Sequence, residues 1–206
     1  MIDNHKKIMY DDFKIVLTGD YGTGKTSFIK KIIFKHYSIT PEPKYIESTR
    51  QELTVKGKTV MATIWDTFGW EKYCAISARY YRYANAAMLF YDITDLNSFN
   101  SLKKWLDDIY KYAEPDVVIM LIGNKCDSLE TERQVSTEIG KNYAKQHNLL
   151  FCEMSVRKSI NIEEALMQLL EKTVSKLEDK KEEEEVKKSM KDQPITDSIS
   201  FWNIKC

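Results

Sequence analysis

An α/β fold is predicted: a six-stranded, mainly parallel sheet with one antiparallel strand and about five flanking helices. Three observations predict it. Short apolar runs alternate with amphipathic stretches through most of the 206 residues, the pattern of strands joined by helical crossovers. Two of the runs, Ala86 to Tyr91 and Val117 to Ile122, are almost continuously apolar, as strands covered on both faces must be. A glycine-rich turn follows the first apolar run directly and opens the first helix.

The elements follow in order. Phe13 to Thr18 is apolar and β-branched and reads as the first strand. Gly24 to Lys35 reads as a helix. Residues 36 to 49 contain Pro41 and Pro43 and read as a loop. Glu52 to Val55 and Thr59 to Trp65 are strands joined at Lys56-Gly57, an antiparallel hairpin. Ala86 to Tyr91, Val117 to Ile122 and Leu149 to Met154 complete the sheet. Further helices are expected at 98–112, started near Ser98, at 136–147, and at 161–178. Asn161 with Glu164 three residues on fits a capping arrangement at the last of these.

The chain is 43% hydrophobic with zero formal net charge. That is enough apolar material for one core, and it gives no global argument for nucleic acid as a partner. The four cysteines, Cys74, Cys126, Cys152 and Cys206, lack metal-ligand spacing. Three lie in or beside apolar segments and read as small core residues in a reducing, cytoplasmic setting. No apolar run approaches the roughly 20 residues of a spanning helix. Beyond residue 175 composition changes: residues 176–192 carry six Lys and seven Asp or Glu. This reads as the solvated end of the last helix followed by disorder, and it is a poor polybasic patch for a membrane. The expected organisation is an N-terminal extension (1–10), one domain (11–178) and a variable tail (179–206).

Gly19-Asp20-Tyr21-Gly22-Thr23-Gly24-Lys25-Thr26 fits G-x-x-x-x-G-K-[ST] between a strand and a helix. Glycines let successive N–H groups curl inward towards phosphate oxygens, and the helix N-terminus adds a positive dipole. Tyr21 to Ser27 therefore form the expected phosphate site, with Lys25 between the outer phosphates and the Thr26 hydroxyl on Mg²⁺. The motif by itself does not choose a base. Asn124-Lys125-Cys126-Asp127 does. A carboxylate at Asp127 accepts two hydrogen bonds from N1–H and the exocyclic amine of guanine; adenine offers no such pair. The Lys125 stem can lie over the base.

With both motifs in place the chain resembles a Ras-superfamily small GTPase, a P-loop domain of the expected α/β type. Trp65-Asp66-Thr67-Phe68-Gly69 is similar to that family's W-D-T-x-G segment. The resemblance implies that Asp66 holds Mg²⁺ through water and that the Gly69 N–H touches the γ-phosphate. Glu153-Met154-Ser155-Val156-Arg157 resembles the E-T-S-A-K loop, which supports the base, and Tyr37 falls where an aromatic flanks it. Tyr80-Tyr81-Arg82-x-Ala84 and Tyr91-Asp92-Ile93-Thr94-Asp95-x-x-Ser98-Phe99 resemble Rab segments. The resemblance covers roughly residues 10–175. It implies GTP/GDP and Mg²⁺ as ligands, and effector, exchange-factor and GTPase-activating proteins as partners. It also implies a role in vesicle traffic, peripheral on the cytosolic face of an internal membrane.

The departures concern hydrolysis. The family places a Gln after D-x-x-G to orient water; here stands Trp70, which has one N–H and no acceptor. Phe68 replaces a small residue. Tyr21 stands on the phosphate loop where a small residue is usual, and it would crowd an arginine finger. The family's Mg²⁺-binding Thr of the first switch falls near Pro43 or Lys44. Thr40 serves as that ligand only if the loop re-registers. No side chain qualifies as a catalytic group, so slow hydrolysis is expected. A scaffold with structural nucleotide is the alternative; a kinase on the same loop is disfavoured by Asn124 to Asp127. Cys206, the last residue, is a candidate for prenylation without a C-a-a-X box. Ile195, Ile199, Phe201, Trp202 and Ile204 are candidates for membrane or partner contact.

Overall fold

The computed structural model describes residues 9–34, 46–67 and 74–191. Its elements are β1 (Met9–Gly19), α1 (Lys25–Phe34), β2 (Ser48–Val55), β3 (Lys58–Asp66), α2 (Cys74–Tyr81), β4 (Ala86–Asp92), α3 (Leu96–Asn100), α4 (Leu102–Tyr112), β5 (Val118–Asn124), α5 (Thr137–Gln146), β6 (Leu150–Met154) and α6 (Ile162–Lys191). The six strands form one sheet in the order β2-β3-β1-β4-β5-β6. Only β2 runs antiparallel, against β3; β1 pairs in parallel with β3 and β4, and β4-β5-β6 continue in parallel. The expected sheet is thus present.

Each strand's burial follows from its sequence pattern. Every residue of β4 and β5 is buried, as expected for apolar runs with helices on both faces. β3 alternates, with Val60, Ala62 and Ile64 inside. The β2–β3 turn has Lys56 at φ 49° and Gly57 at φ 76°, the two left-handed residues of a type I′ hairpin. On α4, Leu102, Trp105, Leu106 and Ile109 are buried, which is the i, i+3, i+4, i+7 stripe of a helix facing a core. Among the thiols, Cys152 is pushed up to about 11, first by burial, and burial also raises Cys126. Both are protonated near neutrality and behave as small packing residues.

The helices correct several expectations. The segment expected as one helix over 98–112 is split at Ser101, whose hydroxyl donates to the Asn97 carbonyl at 3.0 Å. Asp95, not Ser98, caps its start, accepting the Asn97 N–H at 3.0 Å. Ser98 is buried and instead accepts the Asp92 N–H at 2.9 Å. Asn161 does not use its side-chain amide on its own helix; Nδ2 donates to the Glu153 carbonyl at 2.8 Å and ties the helix start to β6. α2 carries no N-terminal signal and escapes a sequence reading. It is fixed from β1: Lys14 Nζ donates to the Arg79 and Arg82 carbonyls at 3.3 and 2.8 Å, a basic cap on the helix's negative end. Thr18 and Tyr81 share a hydrogen bond at 2.5 Å.

α6 runs to Lys191 rather than 178. Lys and Glu are strong helix formers, and pairs such as Lys187 with Glu183 at 3.7 Å reinforce the exposed turns. Val174 is buried, and the chain divides into two compact units between Val174 and Ser175. Tyr37, Thr40, Pro43, Lys44, Phe68, Gly69, Trp70, Cys206 and the apolar residues from Ile195 onward lie outside the described residues.

Tyr83 follows α2 with φ 63° and is 70% exposed. A left-handed tyrosine costs roughly 1–2 kcal/mol in backbone strain, and this exposed ring regains little of that by packing. Tyr83→Gly is expected to raise stability by about 1 kcal/mol and Tm by about 2–4 °C, checked by urea and thermal unfolding.

Candidate functional site

Five parallel strands, β1, β3, β4, β5 and β6, bring their C-terminal ends to one rim of the sheet. β1 lies between β3 and β4, so the chain passes from β1 through β2 to β3 on one side and then crosses to β4 on the other. Open α/β sheets bind ligands at such a switch point. The glycine-rich loop leaves β1 here, Asp66 ends β3, and Asn124 ends β5.

In the loop, Gly22 and Gly24 have φ of 82° and 105°. A Cβ on Gly24 would stand 2.1 Å from Asn124 Nδ2, so both backbone strain and contact require glycine. Lys25 is 4% exposed, and its ammonium donates to the carbonyls of Gly19 at 2.5 Å and Asp20 at 2.7 Å. A lysine held this deep, beside glycines of left-handed backbone, puts a fixed positive charge in the loop. Tyr21 projects outward, 86% exposed, and Ser27 is exposed on the first turn of α1. The Thr26 hydroxyl donates to Asp66 Oδ2 at 2.5 Å. Thr26 and Asp66 sit 40 residues apart in sequence, yet the sheet sets their oxygens side by side. One hydroxyl and one carboxylate form a hard-oxygen pair suited to Mg²⁺, an ion that takes few protein ligands and shares phosphate oxygens. Among the described residues no group of three or more His, Cys, Asp or Glu could hold a metal ion.

The loop from Asn124 to Asp127 is stitched to the glycine-rich loop. Asn124 is buried; its Nδ2 donates to the Thr23 carbonyl at 2.7 Å, and its Oδ1 accepts the Val156 N–H at 3.2 Å. It therefore joins three segments. Asp127 is prepared as an acceptor: the Ser155 hydroxyl donates to Oδ1 at 2.5 Å, and Arg157 Nε stands 3.0 Å from Oδ2. The Ser155 hydrogen bond, more than Arg157 or Lys158, holds the Asp127 carboxyl below the usual range. The charged form thus persists to lower pH than for a free Asp. Ser155 is itself fixed by accepting the Lys158 N–H at 2.9 Å.

Two supports were not read from sequence. Asp92, at the end of β4, forms an ion pair with Lys125, and its other oxygen accepts the N–H and hydroxyl of Thr94 at 2.9 and 2.7 Å. Lys125 has φ 69°, so this pair holds a strained residue in place. Glu153 receives a forked contact from Arg133 at 2.8 and 3.2 Å and the Thr137 hydroxyl at 3.0 Å, which fixes β6 just before Ser155. Asp92 and Glu153 both lie in segments that carry the family resemblance, but nothing local points to their partners Lys125, Arg133 and Thr137. Of the expected site residues, Tyr21 to Ser27, Asp66, Asn124, Lys125, Asp127 and Ser155 to Arg157 fall on this rim. Tyr37, Thr40 and Gly69 are outside the described residues.

The Ras family model matches residues 14–175. Ras-related protein RABA4d of Arabidopsis thaliana is 41% identical over 169 residues, 82% of this chain and 75% of that protein. Ras-related protein RGP2 of Oryza sativa subsp. japonica is 39% identical over 159 residues, 77% of this chain and 73% of that protein. Ras-related protein Rab11D of Nicotiana tabacum is 39% identical over 169 residues, 82% of this chain and 75% of that protein. The matched span contains both loops and every strand end described above, and by it the chain belongs to the Ras family, with Ras-related Rab proteins among its relatives.

Proposed function

We propose that this chain is a Rab-like small GTPase that binds GTP and GDP with Mg²⁺, acts in vesicle-mediated membrane traffic and hydrolyses GTP slowly. The observation that carries the nucleotide reading is the Asn124 bridge, which fixes the phosphate cradle at Thr23 and the base-side loop at Val156 as one unit. Lys25 and the Gly22 to Lys25 backbone grip phosphates. Asp127, set by Ser155, accepts the guanine edge, and Lys125, anchored by Asp92, covers the base. Thr26 and Asp66 hold Mg²⁺, which supplies charge neutralisation at the phosphates. Gly69 contacts the γ-phosphate and Tyr37 borders the base; Thr40 completes the metal site if its loop shifts register.

Slow turnover follows from residue types. Trp70 stands where water needs an orienting amide, and Tyr21, exposed on the phosphate loop, obstructs an arginine finger worth ~10³–10⁵ in rate. The partners are effectors, exchange factors and activating proteins. Among the described residues no helix is long and apolar enough to cross a membrane. Attachment to the cytosolic face of an internal membrane is assigned to the tail, with prenylation at Cys206.

Stripped protein should take up labelled GDP and GTP at micromolar levels, and excess ATP should not displace them. Single-turnover hydrolysis should fall below the intrinsic Ras rate of about 4 × 10⁻⁴ s⁻¹, with Trp70→Gln raising it roughly tenfold. Turnover at or above that rate in the unsubstituted chain would refute slow hydrolysis. Turnover too low to measure even after Trp70→Gln would favour a scaffold whose nucleotide is structural.

A further inference from the structure

We propose that Trp105 is a positioning residue for the phosphate loop, acting through the Asp20 side chain; this rests on the reading of that loop as a nucleotide cradle. Trp105 lies on α4, 85 positions from Asp20, and its Nε1–H donates to Asp20 Oδ1 at 2.7 Å. The indole is 4% exposed. A buried indole N–H needs an acceptor, and here the acceptor is a carboxylate belonging to the loop itself.

Asp20 is engaged from both ends. Its main-chain carbonyl accepts the Lys25 ammonium at 2.7 Å, the Thr23 hydroxyl at 2.8 Å and the Thr23 N–H at 3.4 Å. Its backbone thus closes the loop while its side chain reaches a core helix. A free carboxylate beside a phosphate site repels the ligand. A charge-assisted bond to a fixed indole directs that charge towards α4 and holds the loop's curvature. The indole is well fixed for this role: Leu102, Leu106 and Ile109 are buried on the same stripe, and Lys104 Nζ lies 4.9 Å from its ring centre. The loop is therefore tied at two points, by Asn124 at the Thr23 carbonyl and by Trp105 at the Asp20 carboxylate.

The test uses the full chain. Uptake of GDP by the unsubstituted protein is measured first, and its failure would overturn the nucleotide reading and this proposal together. Given uptake, Trp105→Phe keeps most of the packing but removes the donor, and release of labelled GDP should accelerate about tenfold. Asp20→Asn keeps an acceptor oxygen without the charge. In that background Trp105→Phe should accelerate release only about twofold. The Trp105 indole N–H resonance, assigned by its loss in Trp105→Phe, should move in Asp20→Asn. Release at the unsubstituted rate in Trp105→Phe would overturn the proposal. So would equal acceleration in both backgrounds, since the indole would then act by packing alone. Should Trp105→Phe fail to fold, the indole resonances decide: if none moves in Asp20→Asn, the tie to the loop is absent.

Discussion

Asp127→Asn is expected to exchange preference for guanine against preference for xanthine. Guanine presents two donors, N1–H and the 2-amino group, to a carboxylate whose Oδ1 and Oδ2 already face Ser155 and Arg157. An amide keeps one acceptor and turns its own NH₂ towards the 2-amino group, donor against donor. Xanthine carries an oxygen where guanine carries that amine, so the amide suits it. Sites that recognise a polar edge reject a mismatched one strongly, and the ratio of GDP to xanthosine diphosphate affinity should shift on the order of 10⁴. Competition against a labelled nucleotide checks this. Unchanged GDP affinity in Asp127→Asn would remove the purine-reading role from this loop.

Asn124→Ala carries the next largest effect, and it acts on both halves of the site. The side chain is 3% exposed and makes one hydrogen bond to each flanking loop. Alanine leaves the Thr23 carbonyl and the Val156 N–H unpartnered in a buried place, about 1–3 kcal/mol for each group. Phosphate cradle and base loop then move independently. GDP release should accelerate by roughly 10²–10³, the rate equivalent of about 3–4 kcal/mol, and Tm should fall by several degrees. Stopped-flow release and thermal unfolding measure the two effects. A variant that melts lower yet releases GDP at the unsubstituted rate would show that the bridge serves stability alone.

Much of this site was legible because its chemistry is local. Gly19 to Thr26 is one loop, and Asn124 to Asp127 is another; each motif is a few contiguous residues. The sheet was legible for a similar reason, since Ala86 to Tyr91 and Val117 to Ile122 are apolar whatever surrounds them. What escaped depends on partners distant in sequence. Nothing local tells that Asp92 will meet Lys125, or that Trp105 will reach Asp20. α2 lacks a start signal, and its cap comes from Lys14 on another strand. Asn161 has the residue type of a cap, but a strand carbonyl competes for its amide and wins. The charged stretch after residue 175 has the composition of a solvated segment and the helix propensity of Lys and Glu; up to Lys191 propensity prevails.

The arrangement of the sheet also governs when the site can come into being. Its loops hang from β1, β3, β5 and β6, and parallel neighbours pair only after long crossovers are closed. Such pairings form slowly, and the rim is complete only once β6 has joined β5. On the proposed reading the completed rim would draw the folding equilibrium towards itself: free nucleotide at a thousand times its Kd would add about 4 kcal/mol to the native state. A newly made molecule is thus most vulnerable to unfolding before its first ligand arrives.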